Sequence, residues 1–177
     1  GGRTTVIVDA APPPSGRASA TAHASTGAFE MTSGRRPVIV NCGSGAPFGA
    51  EWRRAGRATA SHSVLSIDGT SSSRLGASKR NAETFGERAK VTTLRRFSGP
   101  AGAEIQVNHD GWVRTHGLTA SRRLLLSADG RHLTGEESLL AETSDERRRF
   151  DLIMTRTSLA GTPISVRFHI HPDVDAT

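Results

Sequence analysis

The chain has 177 residues, 23 Lys+Arg against 17 Asp+Glu, a net charge of +6, one cysteine and no tyrosine. That length suits one domain with a sizeable core. The single cysteine, Cys42, excludes an internal disulfide and a multi-cysteine zinc site, and no apolar run approaches the roughly 18 residues a membrane helix needs, so no membrane partner is expected.

Residues 4–9 read as the first strand, and the Pro-rich segment 11–16 breaks it, because proline cannot donate a ladder hydrogen bond. Residues 27–33 and 37–41 read as a hairpin across 34–36. Phe29 and Met31 alternate there with Glu30 and Thr32, the period of a half-buried strand. Residues 42–58 form a long Gly-rich connection holding Trp52, Arg53, Arg54 and Arg57, and long loops tend to carry function. A strand is expected at 63–68, a turn at 69–73 and a polar, irregular excursion at 74–89. Residues 91–97, 103–109, 122–128 and 131–139 read as a meander, with Asp129-Gly130 its sharpest hairpin signal. The charged segment 141–149 suits a solvated loop or short surface helix. Residues 150–155 and 164–171 read as closing strands. Short strands at this spacing, with few helical patterns, predict an all-β fold: a large antiparallel β-sandwich with few or no helices.

Arginine supplies nearly all the positive charge, since Lys79 and Lys90 are the only lysines. Guanidinium forks match carboxylate, sulfate and phosphate oxygens, so an acidic polysaccharide or a nucleic acid is a suitable partner. Aromatic residues make up only 5% of the chain, too few for base-stacking platforms, which places nucleic acid second. The arginines are also scattered and paired, as a GC-rich coding bias would leave them.

Three polar positions stand at strand ends: His23, Asn41 and His62. Two histidines and a carboxylate with one open position is a common zinc set, and Asn41 lies where the carboxylate is wanted. A neutral amide offsets none of the ion's charge; Asp9 and Asp68, at other strand ends, are alternatives. A hydrogen-bonded structural pair explains the histidines equally. His109-Asp110-Gly111-Trp112 with His116 reads as a hairpin tip with Trp112 packed down, or as a rim meeting a ligand through Trp112 and His116. Phe168 and Ile170 should face one side of the last strand, His169 and His171 the other. Cys42, with no acid or histidine beside it in sequence, reads as a small buried hydrophobe. No nucleophile elbow, phosphate loop or dinucleotide fingerprint occurs, and the catalytic residues are unassigned.

Read together, these stretches resemble the heparinase II/III-like polysaccharide lyases. His23-Ala24-Ser25-Thr26-Gly27-Ala28-Phe29-Glu30-Met31 is similar to that family's His-Ala-Asp-X-Leu-Ser-Phe-Glu-Leu motif. Val38-Ile39-Val40-Asn41-Cys42-Gly43 resembles its Ile-Val-Asp-Pro-Gly strand end. Arg57-Ala58-Thr59-Ala60-Ser61-His62-Ser63-Val64 resembles its Arg-Ser-Thr-Ala-Ala-His-Asn-Thr segment. The resemblance implies a β-sandwich over residues 1–177, following an α/α toroid that this chain, starting Gly-Gly-Arg without methionine, is expected to lack as a piece of a longer protein. It implies β-elimination on uronate-containing glycans by the whole bacterial protein, in the periplasm or secreted. It also implies zinc at His23, Asn41 and His62, a degenerate set because the family's aspartate is Asn41. Ser25 and Thr21 stand where family members carry an aspartate and, in some, a catalytic histidine, and no tyrosine exists to act as acid or base. The isolated piece is therefore expected to be inactive. Arg53, Arg54 and Arg57, between the strand ends of Asn41 and His62, are candidates for contacting sulfate or carboxylate groups, with Trp112 and His116. A non-catalytic glycan-binding or structural domain fits the same residues.

Overall fold

The computed structural model describes residues 3–76, 83–157 and 160–175. In chain order its elements are β1 (Thr4–Val8), β2 (Phe29–Ser33), β3 (Arg36–Ile39), α1 (Ala50–Gly56), β4 (Leu65–Ile67), β5 (Arg74–Leu75), β6 (Phe85–Glu87), β7 (Val91–Gly99), β8 (Gly102–Trp112), α2 (Val113–His116), β9 (Leu118–Ser127), β10 (Leu133–Leu140), α3 (Ser144–Arg156) and β11 (Ile164–Val166). Strands dominate and every pairing between them is antiparallel, the all-β class expected.

Two layers form. One is the meander β7-β8-β9-β10. The other starts as β1-β2-β3 and continues through the C-terminal segment. Val40 N donates to His169 O and His171 N to Val38 O, while β11 pairs with β4 on its other side. The end of the chain is thus laid between β3 and β4, which carries residues 164–171 past both strand ends that bear site residues.

Cross-strand partners share a face, so register identifies the core. Phe29, Met31 and Ile39 line the inner face of one layer, given Val8↔Phe29, Val6↔Met31 and Met31↔Ile39. Val107, Arg122, Leu124 and Glu137 line the other. Trp112, Leu65, Ile67, Leu118 and Ala120 close one end of the core. An ion pair sits between the layers: Arg122 bonds Glu137, and its Nη1 also donates to Gly27 O (2.8 Å) and Ser63 O (2.6 Å). Its guanidinium lies 5.4 Å over the Phe29 ring. One side chain therefore ties β9 to the connections before β2 and β4.

Several expectations are corrected. Residues 150–155 are helical, inside α3. Phe-Asp-Leu-Ile-Met fits either period, and the decision lies upstream in a capping box. Glu146 N donates to Thr143 Oγ1, and Thr143 N to the Glu146 carboxylate, both at 3.2 Å. Asp145 and Glu146 in the first turn also suit the helix dipole. Phe150 then packs against the Trp112 cluster. The connection 42–58 contains α1, and its glycines let two limbs touch: a Cβ on Gly45 (φ +65°) would stand 2.1 Å from Trp52 O. Within 74–89, β5 and β6 pair and Phe85 is buried, with 77–82 outside the described residues. Asp110-Gly111 is no hairpin tip. It lies in β8, where the register shifts between His109 and Trp112, and the chain turns one step later, through α2 and Gly117.

Candidate functional site

His23 follows a 3-10 turn (Gly16–Thr21), and His62 follows another (Thr59–Ser61). Ala24 N donates to Arg57 O and Thr59 Oγ1 to Ala24 O (2.7 Å), which clamps the two segments together. His23 Nδ1 consequently lies 3.2 Å from His62 Nε2 and 3.0 Å from Gly56 O, with the rings edge to face. Three atoms that need one proton between them thus meet at a point. His62 is 3% exposed. Burial, then the neighbouring His23 and His169 rings, lower its pKa to about 4. Burial also lowers that of His23, with Arg57 adding to the effect and the Gly56 carbonyl opposing it. The pair is neutral at pH 7.

Asn41, at the end of β3, turns toward β2. Its backbone N and its Nδ2 donate to Glu30 Oε1 at 3.2 and 2.9 Å. Its Oδ1 is buried without a hydrogen-bond partner, as is His62 Nδ1. Cys42 is exposed, against the expectation of a buried thiol, because it begins the outward loop before α1. Its Sγ lies 3.4 Å from His169 Nδ1, while His169 Nε2 reaches Ala60 O at 3.0 Å. Sequence reading had no route to this contact, since 127 residues separate the partners.

The zinc expectation is tested by these donors. Two zinc–nitrogen bonds of about 2.0–2.1 Å in a tetrahedron put the nitrogens about 3.3 Å apart, so the histidine spacing suits the ion. The third donor does not. Asn41 is a neutral amide engaged to Glu30, and among the described residues no group of three His, Cys, Asp or Glu side chains converges. Asp9 instead accepts from Ser25 Oγ and from Ala11 N. Two neutral imidazoles and an amide leave the ion's charge uncompensated, and the residues do not fit zinc.

The expected substrate contacts divide. Trp112 is 0% exposed; its Nε1 donates to Thr70 Oγ1 at 3.3 Å, so the indole is core and faces no ligand. His116 is buried, 2.9 Å from Thr115 Oγ1, and burial lowers its pKa. Arg53 pairs with Glu83. Arg57 is 2% exposed and braces the 3-10 turn before His23, with Nε to Ala22 O (2.8 Å), Nη2 to Ser19 O (2.7 Å) and the guanidinium 5.2 Å over the Phe85 ring. Desolvation lowers its pKa, although Glu83 opposes that. Arg54 is exposed.

An antiparallel two-layered β domain carries this histidine pair where two 3-10 turns meet, and the family it matches makes it a polysaccharide-lyase-related domain. The heparinase II/III-like C-terminal family matches residues 1–177, and this chain belongs to that family. It is similar to FtsZ-localized protein C of Caulobacter vibrioides (strain NA1000 / CB15N), 34% identical over 185 residues. That similarity covers the whole chain and 30% of the relative, so the chain spans about a third of the length of the curated relative it matches. No solved structure matches.

Proposed function

We propose that this domain binds an acidic glycan without cutting it, as the sandwich part of a longer lyase-related protein. The observation that carries this reading is the closure of the histidine pair. His23 and His62 face each other and Gly56 O, and Asn41 is held by Glu30. β-Elimination needs a base, a group that neutralises the carboxylate, and an acid at the leaving oxygen. A buried imidazole with a pKa of about 4 serves none of these roles on a bound sugar, and the chain has no tyrosine. The arginine-rich surface supports the anionic partner.

The test is to assay the full-length protein against a panel of uronate polysaccharides, following both unsaturated uronate absorbance and binding. Binding with flat absorbance is expected. Rising absorbance that His62→Ala abolishes would establish the lyase reading instead.

A second reading concerns the whole protein's setting. The name of the Caulobacter relative supports placing it with FtsZ at the division site. A fluorescent fusion of the full-length protein is expected at midcell, and uniform fluorescence would reject that placement.

A further inference from the structure

Beside the histidine pair, a cavity of about 430 Å³ opens between the end of α1 and β5. Arg54, Arg57 and Arg74 line it with Ser71, Ser73 and the Phe85 ring, and no carboxylate does so among the described residues. Like charges gathered in one partly desolvated space repel, and an anion placed among them relieves that repulsion.

The hydrogen-bond inventory points the same way. Arg57 spends Nε and Nη2 on Ala22 O and Ser19 O, but its Nη1 is buried with no hydrogen-bond partner. The carboxylate of Glu83 lies 3.6 Å from that nitrogen. Arg74 donates Nε to Glu87 at 2.7 Å, and its Nη1 is likewise buried without a hydrogen-bond partner. Buried guanidinium N–H groups left unpaired are costly, and the two side chains that carry them both line this cavity, so an acceptor brought to them there offsets that cost. Ser71 Oγ accepts from Thr59 N (3.1 Å) and Ser73 Oγ from Ala89 N (2.9 Å). Each hydroxyl thereby uses its oxygen and has its hydrogen to donate.

We propose that this cavity is an oxyanion site, which takes a sulfate or carboxylate group through the Nη1 atoms of Arg57 and Arg74 and the hydroxyls of Ser71 and Ser73, with Arg54 at its edge. The glycan as source of the anion rests on the binding function proposed above; the donors themselves are independent of it. Glu83 is the internal competitor, since it stands near the same Arg57 nitrogen.

Calorimetric titration of the full chain with sodium sulfate and sodium glucuronate, at ionic strength held constant with chloride, tests the site. Saturable binding of at least one anion is expected, and which one saturates names the group recognised. Arg74→Gln should weaken it about tenfold, the worth of one charge-assisted hydrogen bond, and Glu83→Gln should leave it equal or tighter. Ser71→Ala, which keeps the Arg74–Glu87 pair, gives the same direction of effect if Arg74→Gln fails to fold. Absence of saturation by either anion, or unchanged affinity in folded Arg74→Gln or Ser71→Ala, overturns the proposal. Acidic glycan chains that bind wild type and Arg74→Gln equally would reject this cavity and spare the glycan reading. Sulfate that saturates the cavity while no glycan chain binds would do the reverse.

Discussion

His23 Nδ1 and His62 Nε2 lie 3.2 Å apart across 39 residues of sequence, and the same His23 nitrogen is 3.0 Å from Gly56 O. Both imidazoles are neutral, so the contact is a hydrogen-bonded clamp between two loops. Removing the inner ring takes one of the two partners from His23 Nδ1 and opens a cavity in a buried place. His62→Ala should therefore lower the melting temperature well beyond His171→Ala, by about 2–4 kcal/mol in stability. His171 lies near the C-terminal end with its Nδ1 accepting from Asp173 N at 3.2 Å. Equal melting temperatures for the two variants would contradict the clamp.

Asn41 puts a neutral amide where the zinc set implied by the family resemblance has a carboxylate. In Asn41→Asp the Nδ2 donor to Glu30 is lost and two carboxylates face each other, so the metal-free variant should melt below wild type. The new carboxylate supplies the anionic ligand that the histidine pair lacks. Zinc should raise the melting temperature of Asn41→Asp and leave that of wild type unchanged. Metal analysis after gel filtration should find near-stoichiometric zinc in the variant alone. Wild-type protein that retains zinc after gel filtration would refute the account of Asn41.

Two histidines make stability depend on pH in one direction. Burial brings His62 and His109 from 6.5 to about 4, with neighbouring groups adding to it: the His23 and His169 rings for His62, the Arg122 guanidinium for His109. In the unfolded chain each binds a proton below about 6.5, whereas in the folded chain each stays neutral down to about 4. Their contribution is therefore whole above pH 6.5, declines as pH falls through that window, and levels off near 4. Each imidazole contributes a slope equivalent to roughly 3 kcal/mol over the window. Urea denaturation at pH 7.5, 5.5 and 4.5 should show the decline, and His109→Gln, if folded, should flatten it. A flat profile between pH 7 and 4.5 would show that neither ring is held neutral.

Adjacent arginines on β9 should behave oppositely. Arg122 points inward to Glu137, Gly27 O and Ser63 O and is 4% exposed. Arg123 points outward to Glu104 and Glu136. Arg122→Ala strands the Glu137 carboxylate and two carbonyls inside, so it should cost about 3–5 kcal/mol. Arg123→Ala breaks only surface pairs and should cost under about 1 kcal/mol. Denaturant midpoints of the two variants check the contrast, and comparable losses would contradict the inward register of Arg122.

Much of the fold was legible because strands advertise themselves locally. Phe29 and Met31 alternate with polar neighbours, and Asp129-Gly130 marks the β9–β10 connection, where Asp129 Oδ1 accepts from Ser127 Oγ and Arg131 N. Residues 150–155 failed because a short apolar run suits both periods, and the Thr143–Glu146 cap that settles it lies outside the run. Trp112 invited a ligand reading because an indole serves a core or a rim equally; only the packing of Leu65, Ile67 and Leu118 around it decides.

By itself the sequence determined the all-β class and the family resemblance, and it singled out His23, Asn41 and His62, since each follows from short-range pattern; the structure places both histidines after 3-10 turns. Only the tertiary structure decided that the two imidazoles close on one another, that Asn41 belongs to Glu30, that Cys42 meets His169, and that Arg74 joins Arg57 around a cavity. Those contacts join residues 11 to 127 positions apart. Each is made where one segment meets another, and no periodicity within a segment records where another segment will meet it.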